Sequence, residues 1–277
     1  MTGSAWLTGA TFSSAVRAAS LALVVVGAAS CSRALTDRVA SDSDVMDTDA
    51  GVDDTDPGLT PADPDVLFVI HNAAMVEARL KLIAAVPSLL AKLQDSGADW
   101  HVGVITADVD DSTQNGTLQG PSGHAFVDAS ASDPSAAFAE IADVGDAGSL
   151  TGAGLRAASR ALLMPTPQLQ QANAGFVRTG DRVVIVVLSD DDDASRGSPS
   201  GQDFARDIGA LPGASSVTLT AIVGPDPDGC ESAELRALAG TTYNRVAAAM
   251  GGRSYSICDD DYATLLDAIG RDAVQLP

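Results

Sequence analysis

Three observations predict a doubly wound α/β domain, with a mostly parallel sheet flanked by helices in three layers. Short apolar runs alternate with longer segments whose apolar residues are spaced for one buried helical face. The most apolar run, Arg182-Val-Val-Ile-Val-Val-Leu188, carries five β-branched residues on both faces, which suits a central strand covered by helices on either side. The repeated strand–helix units imply right-handed crossovers within one sheet.

Taken in order, Val66–Ile70 reads as a buried strand, and Val76, Leu80, Ile83, Leu90 and Leu93 as the buried face of a following helix. Pro87 falls inside that helix and should bend or interrupt it. Trp100–Thr106 supplies a second strand. A polar, Gly-rich loop over Asp108–Gly123 and a brief extended piece at His124–Val127 follow. Helices are expected at Pro134–Ala142, capped by Asp133, and at Gly152–Leu163. The strand at Arg182–Leu188 runs directly into Ser189-Asp-Asp-Asp-Asp193. A helix near Asp203–Leu211 and a strand at Val217–Val223 come next, and Glu231–Ala239, Tyr243–Met250, Ser254–Ile257 and Tyr262–Ile269 complete the alternation. With no internal repeat and no second-domain boundary, residues 65–277 form one domain of about 210 residues, enough for a good core.

The first 64 residues read differently. Residues 1–30 hold no acidic residue and one cation, Arg17, ahead of the apolar run Ala18–Ser30, which is the grammar of an export signal and too short for a permanent span of about 20 residues. Gly27-Ala-Ala-Ser-Cys31 resembles the lipobox of bacterial lipoproteins, which implies acylation of Cys31 and membrane attachment through the lipidated N-terminus; Ser32 matches the outer-membrane pattern. Residues 31–64 are an acidic Ser/Thr/Asp/Pro-rich tether. Ten Asp between Asp37 and Asp65 and no aromatic leave too little apolar surface to offset the entropy of ordering.

A formal net charge of -21 repels polyanions, which excludes nucleic acid as a partner and disfavours broad contact with anionic lipid. No Gly-x-x-x-x-Gly-Lys or Gly-x-Gly-x-x-Gly pattern supports a nucleotide cofactor, and no Gly-x-Ser-x-Gly elbow supports a hydrolase.

Five pieces stand in a fixed order: Asp65–Val76, Gly103-Val-Ile-Thr106, Asn173-Ala-Gly-Phe176, Ser189–Ser195, and Gly224-Pro225 followed by Cys230 and Ser256-Ile-Cys258. Together they resemble the von Willebrand factor A-like domain of a lipoprotein family from myxobacteria and related proteobacteria, over about residues 65–270. The resemblance implies a Rossmann-type fold with a divalent cation above the sheet, held by an Asp-x-Ser-x-Ser loop, a Thr and a further Asp. In this sequence His71, Ala73 and Met75 occupy the three loop positions, Thr151 the Thr position and Asp190 the later Asp position. None of the first three supplies the oxygen that Mg²⁺ or Ca²⁺ prefers, so the expected reading is a degenerate adhesion site with no cofactor. Two alternatives stand beside it: an altered Mg²⁺ or Ca²⁺ site built from Asp190, Asp191 and Thr151, and an ordinary solvated acidic loop.

His71 has three readings: an imidazolium that replaces the missing cation beside Asp190, an ordinary hydrogen-bonding residue at a strand end, or a catalytic base acting with Asp190 and Ser189 or Ser195. His101 and His124 read as structural or surface groups. Export and the resemblance together imply a Cys230–Cys258 disulfide, worth about 4 kcal/mol in the chain-entropy model. A second Cys pair of the family is replaced by Ser149 and Ala194, which predicts looser upper loops unless other contacts replace the bridge.

The functional expectation is therefore an envelope-anchored, non-enzymatic adhesion or scaffolding domain, metal-independent, that binds a protein or cell-surface macromolecule. A structural envelope component with an inert former metal face, a cation-dependent adhesion module using the Asp190 cluster, and an unusual hydrolase are the alternatives.

Overall fold

The strands β1 (Pro64–Ile70) and β4 (Arg182–Leu188) are buried at every residue, as uninterrupted Val/Ile/Leu runs require when helices cover both faces. They lie side by side in a six-stranded sheet of order β3-β2-β1-β4-β5-β8, completed by β2 (His101–Thr106), β3 (Phe126–Asp128), β5 (Ser216–Val223) and β8 (Ser254–Ser256). Every pairing is parallel except that of β2 with β3. The fold is thus the doubly wound, mostly parallel sheet expected from the sequence. The computed structural model describes residues 63–120, 125–195 and 200–274. The leader, Cys31, the tether up to residue 62, and His124 lie outside the described residues.

One core lies between the sheet and α1 (Val76–Asp95), α2 (Pro134–Ala142) and α7 (Tyr262–Val274). It joins Phe68, Trp100, Phe138 and Leu266. The other packs α3 (Gly154–Leu163), α5 (Gly201–Gly209) and α6 (Thr241–Ala249) on the opposite face, around Leu67, Leu155, Phe204 and Tyr243. Alternation along β1 splits its side chains between the two: Val66, Phe68 and Ile70 to the first, Leu67 and Val69 to the second. Among the described residues no helix is long and apolar enough to cross a membrane.

Several elements depart from expectation. In α1 the buried stripe runs through Ala78, Leu82, Ala85, Val86, Leu89, Leu90 and Leu93, while Leu80 is 51% exposed. Small Ala residues let the helix sit close to the sheet, which a reading based on large apolar residues overlooks. Pro87 does not interrupt the helix; it sits on the exposed side. Helix α5 starts at Gly201 because Ser200 and Asp203 form a reciprocal capping box. A short helix, α4 (Pro167–Ala172), capped by Thr166, was not expected. Residues 231–239 hold no helix: β6 (Cys230–Glu231) and β7 (Arg236–Ala237) pair as a small antiparallel ribbon. Cys230 is joined by a disulfide to Cys258, beyond β8, closing a sequence separation of 28.

Candidate functional site

The strand order reverses between β1 and β4, and this brings the two departing chains together above the sheet. The His71 amide donates to the Leu188 carbonyl at 2.9 Å, and the Ala107 amide beyond β2 donates to Ile70 at 2.9 Å. Crevices at such a switch point are where doubly wound sheets place ligands.

His71 is 2% exposed. Its Nδ1 lies 2.8 Å from Asp190 Oδ1 and its Nε2 lies 3.2 Å from the Ser149 carbonyl. A carbonyl only accepts, and so does an ionised carboxylate, whereas a neutral imidazole donates from one nitrogen only. A neutral ring can thus donate in only one of the two contacts; both are satisfied by an imidazolium, or by a metal ion bound through Nδ1 while Nε2–H donates to Ser149. The latter is the arrangement usual for metal-ligating histidines, whose second nitrogen is fixed by a carbonyl or carboxylate. Burial, the largest effect, pulls the imidazole pKa down, but the Asp190 hydrogen bond and charge, the Ser149 carbonyl and the Asp191 charge together raise it above the ordinary value. Gly152 makes room for the ring, since a Cβ there would stand 2.9 Å from His71 Cδ2.

The four consecutive Asp residues diverge. Asp190 faces His71, and its own carbonyl accepts from the Leu238 amide at 2.8 Å. Asp192 accepts from the Thr242 amide at 2.8 Å and the Thr242 hydroxyl at 2.9 Å, at the start of α6. Asp193 accepts from the Leu155 amide at 3.1 Å, at the start of α3, and from the Ser195 hydroxyl at 3.0 Å. Both of these carboxylates thus meet helix N-termini, where unpaired amides and the helix dipole favour negative charge. Asp191 remains. Its carboxylate has no hydrogen-bond partner among the described residues, and burial first, then repulsion from Asp190, raises its pKa against the pull of His71.

His71, Asp190 and Asp191 consequently form a donor set whose ligand atoms lie within 4.8 Å of one another. Opposite ligands of one ion stand about 4.2 Å apart when the bonds are about 2.1 Å, a separation comparable with the spread of this set. These three residues could hold a divalent cation. One imidazole nitrogen and two carboxylates fit borderline ions such as Mn²⁺ or Zn²⁺ better than the all-oxygen shell of Mg²⁺ or Ca²⁺.

Ala73 and Met75 contribute no ligand oxygen. Ala73 bridges to Ala147 as backbone, and Met75 is buried in the first core. Thr151 is exposed, with its hydroxyl 3.2 Å from that of Ser149, whose carbonyl faces His71. Ser189 donates to the Asp191 carbonyl and Ser195 to Asp193, so neither hydroxyl is bonded to His71. His101 sits at the other end of the sheet, its Nδ1 2.8 Å from the Phe176 carbonyl and its ring against Phe126.

The upper loops are knitted rather than loose. Where the family's second Cys pair would stand, the Ser149 amide donates to Asp108 at 2.9 Å, its hydroxyl to Asp110 at 2.9 Å, and the Ala194 amide to the Gly152 carbonyl at 2.8 Å. The turn after β1 is tied to the same loop by the Gly148 amide on Asn72 at 2.9 Å and the Ala74 amide on Asp146 at 3.2 Å. Ala74 adopts a φ of 54° there, a left-handed conformation uncommon for a residue with a side chain.

No family model and no curated protein matches this chain. Two solved structures are similar to it: the conserved hypothetical protein BatB from Bacteroides thetaiotaomicron, at 15% identity and a TM-score of 0.40, covering 76% of this chain and 96% of that one, and the pilus adhesin SpaC from Lactobacillus rhamnosus GG in an open conformation, at 11% identity and a TM-score of 0.46, covering 78% of this chain and 30% of the adhesin. The likeness is one of fold.

Proposed function

We propose that the chain is an envelope-anchored, non-catalytic binding module of the von Willebrand factor A type, and that a divalent cation held by His71, Asp190 and Asp191 shapes its recognition face. The observation that carries this reading is the buried imidazole. With Nε2 directed at a carbonyl and Nδ1 against Asp190, the ring stands beside two carboxylates in a cluster that positive charge would stabilise. The reading replaces the metal-independent one first drawn from the missing loop oxygens, because His71 is itself a donor. Around the site, Leu150 and Leu238 are 78% and 59% exposed, on the Ser149 loop and on the segment bonded to Asp190 respectively. Such residues beside a cation would give a protein partner both an apolar and a charged anchor.

The 2.8 Å His71–Asp190 contact supports a second reading, in which an imidazolium does the cation's work without metal. Both readings assign the same face and the same partner class, a protein or other cell-surface macromolecule. They are separated by capture of envelope proteins on the immobilised chain, stripped with chelator and then resupplied with Mn²⁺, Zn²⁺, Mg²⁺ or Ca²⁺. The metal reading expects capture to be lost on stripping, restored by one of these ions, and absent in Asp191→Asn. Capture indifferent to chelator but lost in His71→Ala supports the imidazolium instead. Capture unaffected by either treatment rules out this face.

A further inference from the structure

At the other end of the sheet from His71, β4 begins with an arginine that lacks an acid. Arg182 is 8% exposed, its Nη1 donates to the Asp272 carbonyl at 3.0 Å, and its Nε has no partner among the described residues. Burial lowers its pKa from the ordinary arginine value, with no carboxylate opposing the shift. A buried guanidinium left without a counter-charge is costly, and such groups are normally paired.

Arg182 lines a cavity of about 340 Å³, at the small end of the range for ligand pockets. The floor of the cavity follows from register. Arg182 pairs with Ser216, Val184 with Thr218 and Val186 with Thr220, so three hydroxyls stand in a row on β5 beside the guanidinium. Among the described residues none of the three hydroxyls bonds to protein, and all three are open to the solvent of the cavity. β8 pairs with β5 only from Ala221 onward, which leaves this stretch open to the Gly251–Arg253 turn. Gly252 is pressed so closely on the Leu219 carbonyl that a Cβ would stand 1.8 Å from it. Arg253 and Asp272 also line the cavity, but they neutralise each other through contacts at 2.7 and 3.3 Å. The lining therefore offers one buried cation without a counter-charge and, nearest to it, two accessible hydroxyls at Ser216 and Thr218, with its single carboxylate already taken.

We propose that this cavity binds a small oxyanion, a phosphate or carboxylate group, through Arg182 and the Ser216 and Thr218 hydroxyls next to it on the neighbouring strand. Each feature is a donor seeking negative oxygen, and planar guanidinium is the side chain best suited to both groups. The protein's overall negative charge works against general anion binding, so saturable binding of a small anion would have to arise from a local cluster of donors.

Titration calorimetry with inorganic phosphate and with succinate, in chloride-free buffer, tests the proposal on the full chain. Saturable one-to-one binding of at least one probe is expected. Arg182→Gln should weaken it about ten-fold or more, and Thr218→Val, which preserves shape on the strand, by a few-fold. No saturable binding overturns the proposal, as does binding that both cavity variants retain.

Discussion

His71 carries the most chemical information of any single residue. In metal-free protein its folded pKa lies above the ordinary 6.5 because Asp190, the Ser149 carbonyl and Asp191 outweigh burial. Between the unfolded and folded values the native state holds the extra proton, so the slope of stability against pH is negative there. The stabilisation from this group is complete below about pH 6.5 and disappears as pH rises through the folded pKa. Chelator-stripped protein should thus lose stability in denaturant titrations as pH climbs through that window, and His71→Gln should remove this part of the dependence. An unchanged profile in the variant would place the titration elsewhere. The proximity of His71 and Asp190 was legible in the sequence, because a doubly wound sheet brings the ends of these strands together. The second acceptor was not: it is a backbone carbonyl on a distant loop, and no residue type announces one.

At the scale of elements, the acidic run after β4 acts as a clamp. Asp192 and Asp193 are built into the starts of α6 and α3, two helices on the same face of the sheet. Asp193 meets the Leu155 amide and the Ser195 hydroxyl, and the Tyr243 hydroxyl lies against it. Asp193→Ala should cost about 1–3 kcal/mol, since it removes a cap and leaves buried donors unpaired; equilibrium denaturation measures this. A loss within a few tenths of a kcal/mol would mean the carboxylate is merely solvated. The sequence announced four carboxylates in a row but not their divergence, which is set by where α3 and α6 begin. Short elements were illegible for a related reason. α4 buries only Leu169, and β6 and β7 span two residues each, too few to show a period. The long apolar strands and the Asp133-capped helix were legible because their signals are local. Leu80 misled because large apolar residues were weighted over the Ala positions that pack.

Across the whole molecule, two cores cover the two faces of one sheet, and the sheet's two ends carry contrasting chemistry: converging carboxylates with an imidazole at one, an unpaired guanidinium with hydroxyls at the other. In the proposed function the first end acts through a cation, and a ligand that binds only the folded chain stabilises it by mass action. Titration calorimetry of Mn²⁺, Zn²⁺, Mg²⁺ and Ca²⁺ into the stripped chain, beside His71→Ala and Asp191→Asn, addresses this most directly. One saturable site per chain is predicted, tighter for Mn²⁺ or Zn²⁺ than for Mg²⁺ or Ca²⁺ and lost in both variants. Absence of a saturable site, or a site that survives both substitutions, would contradict the account.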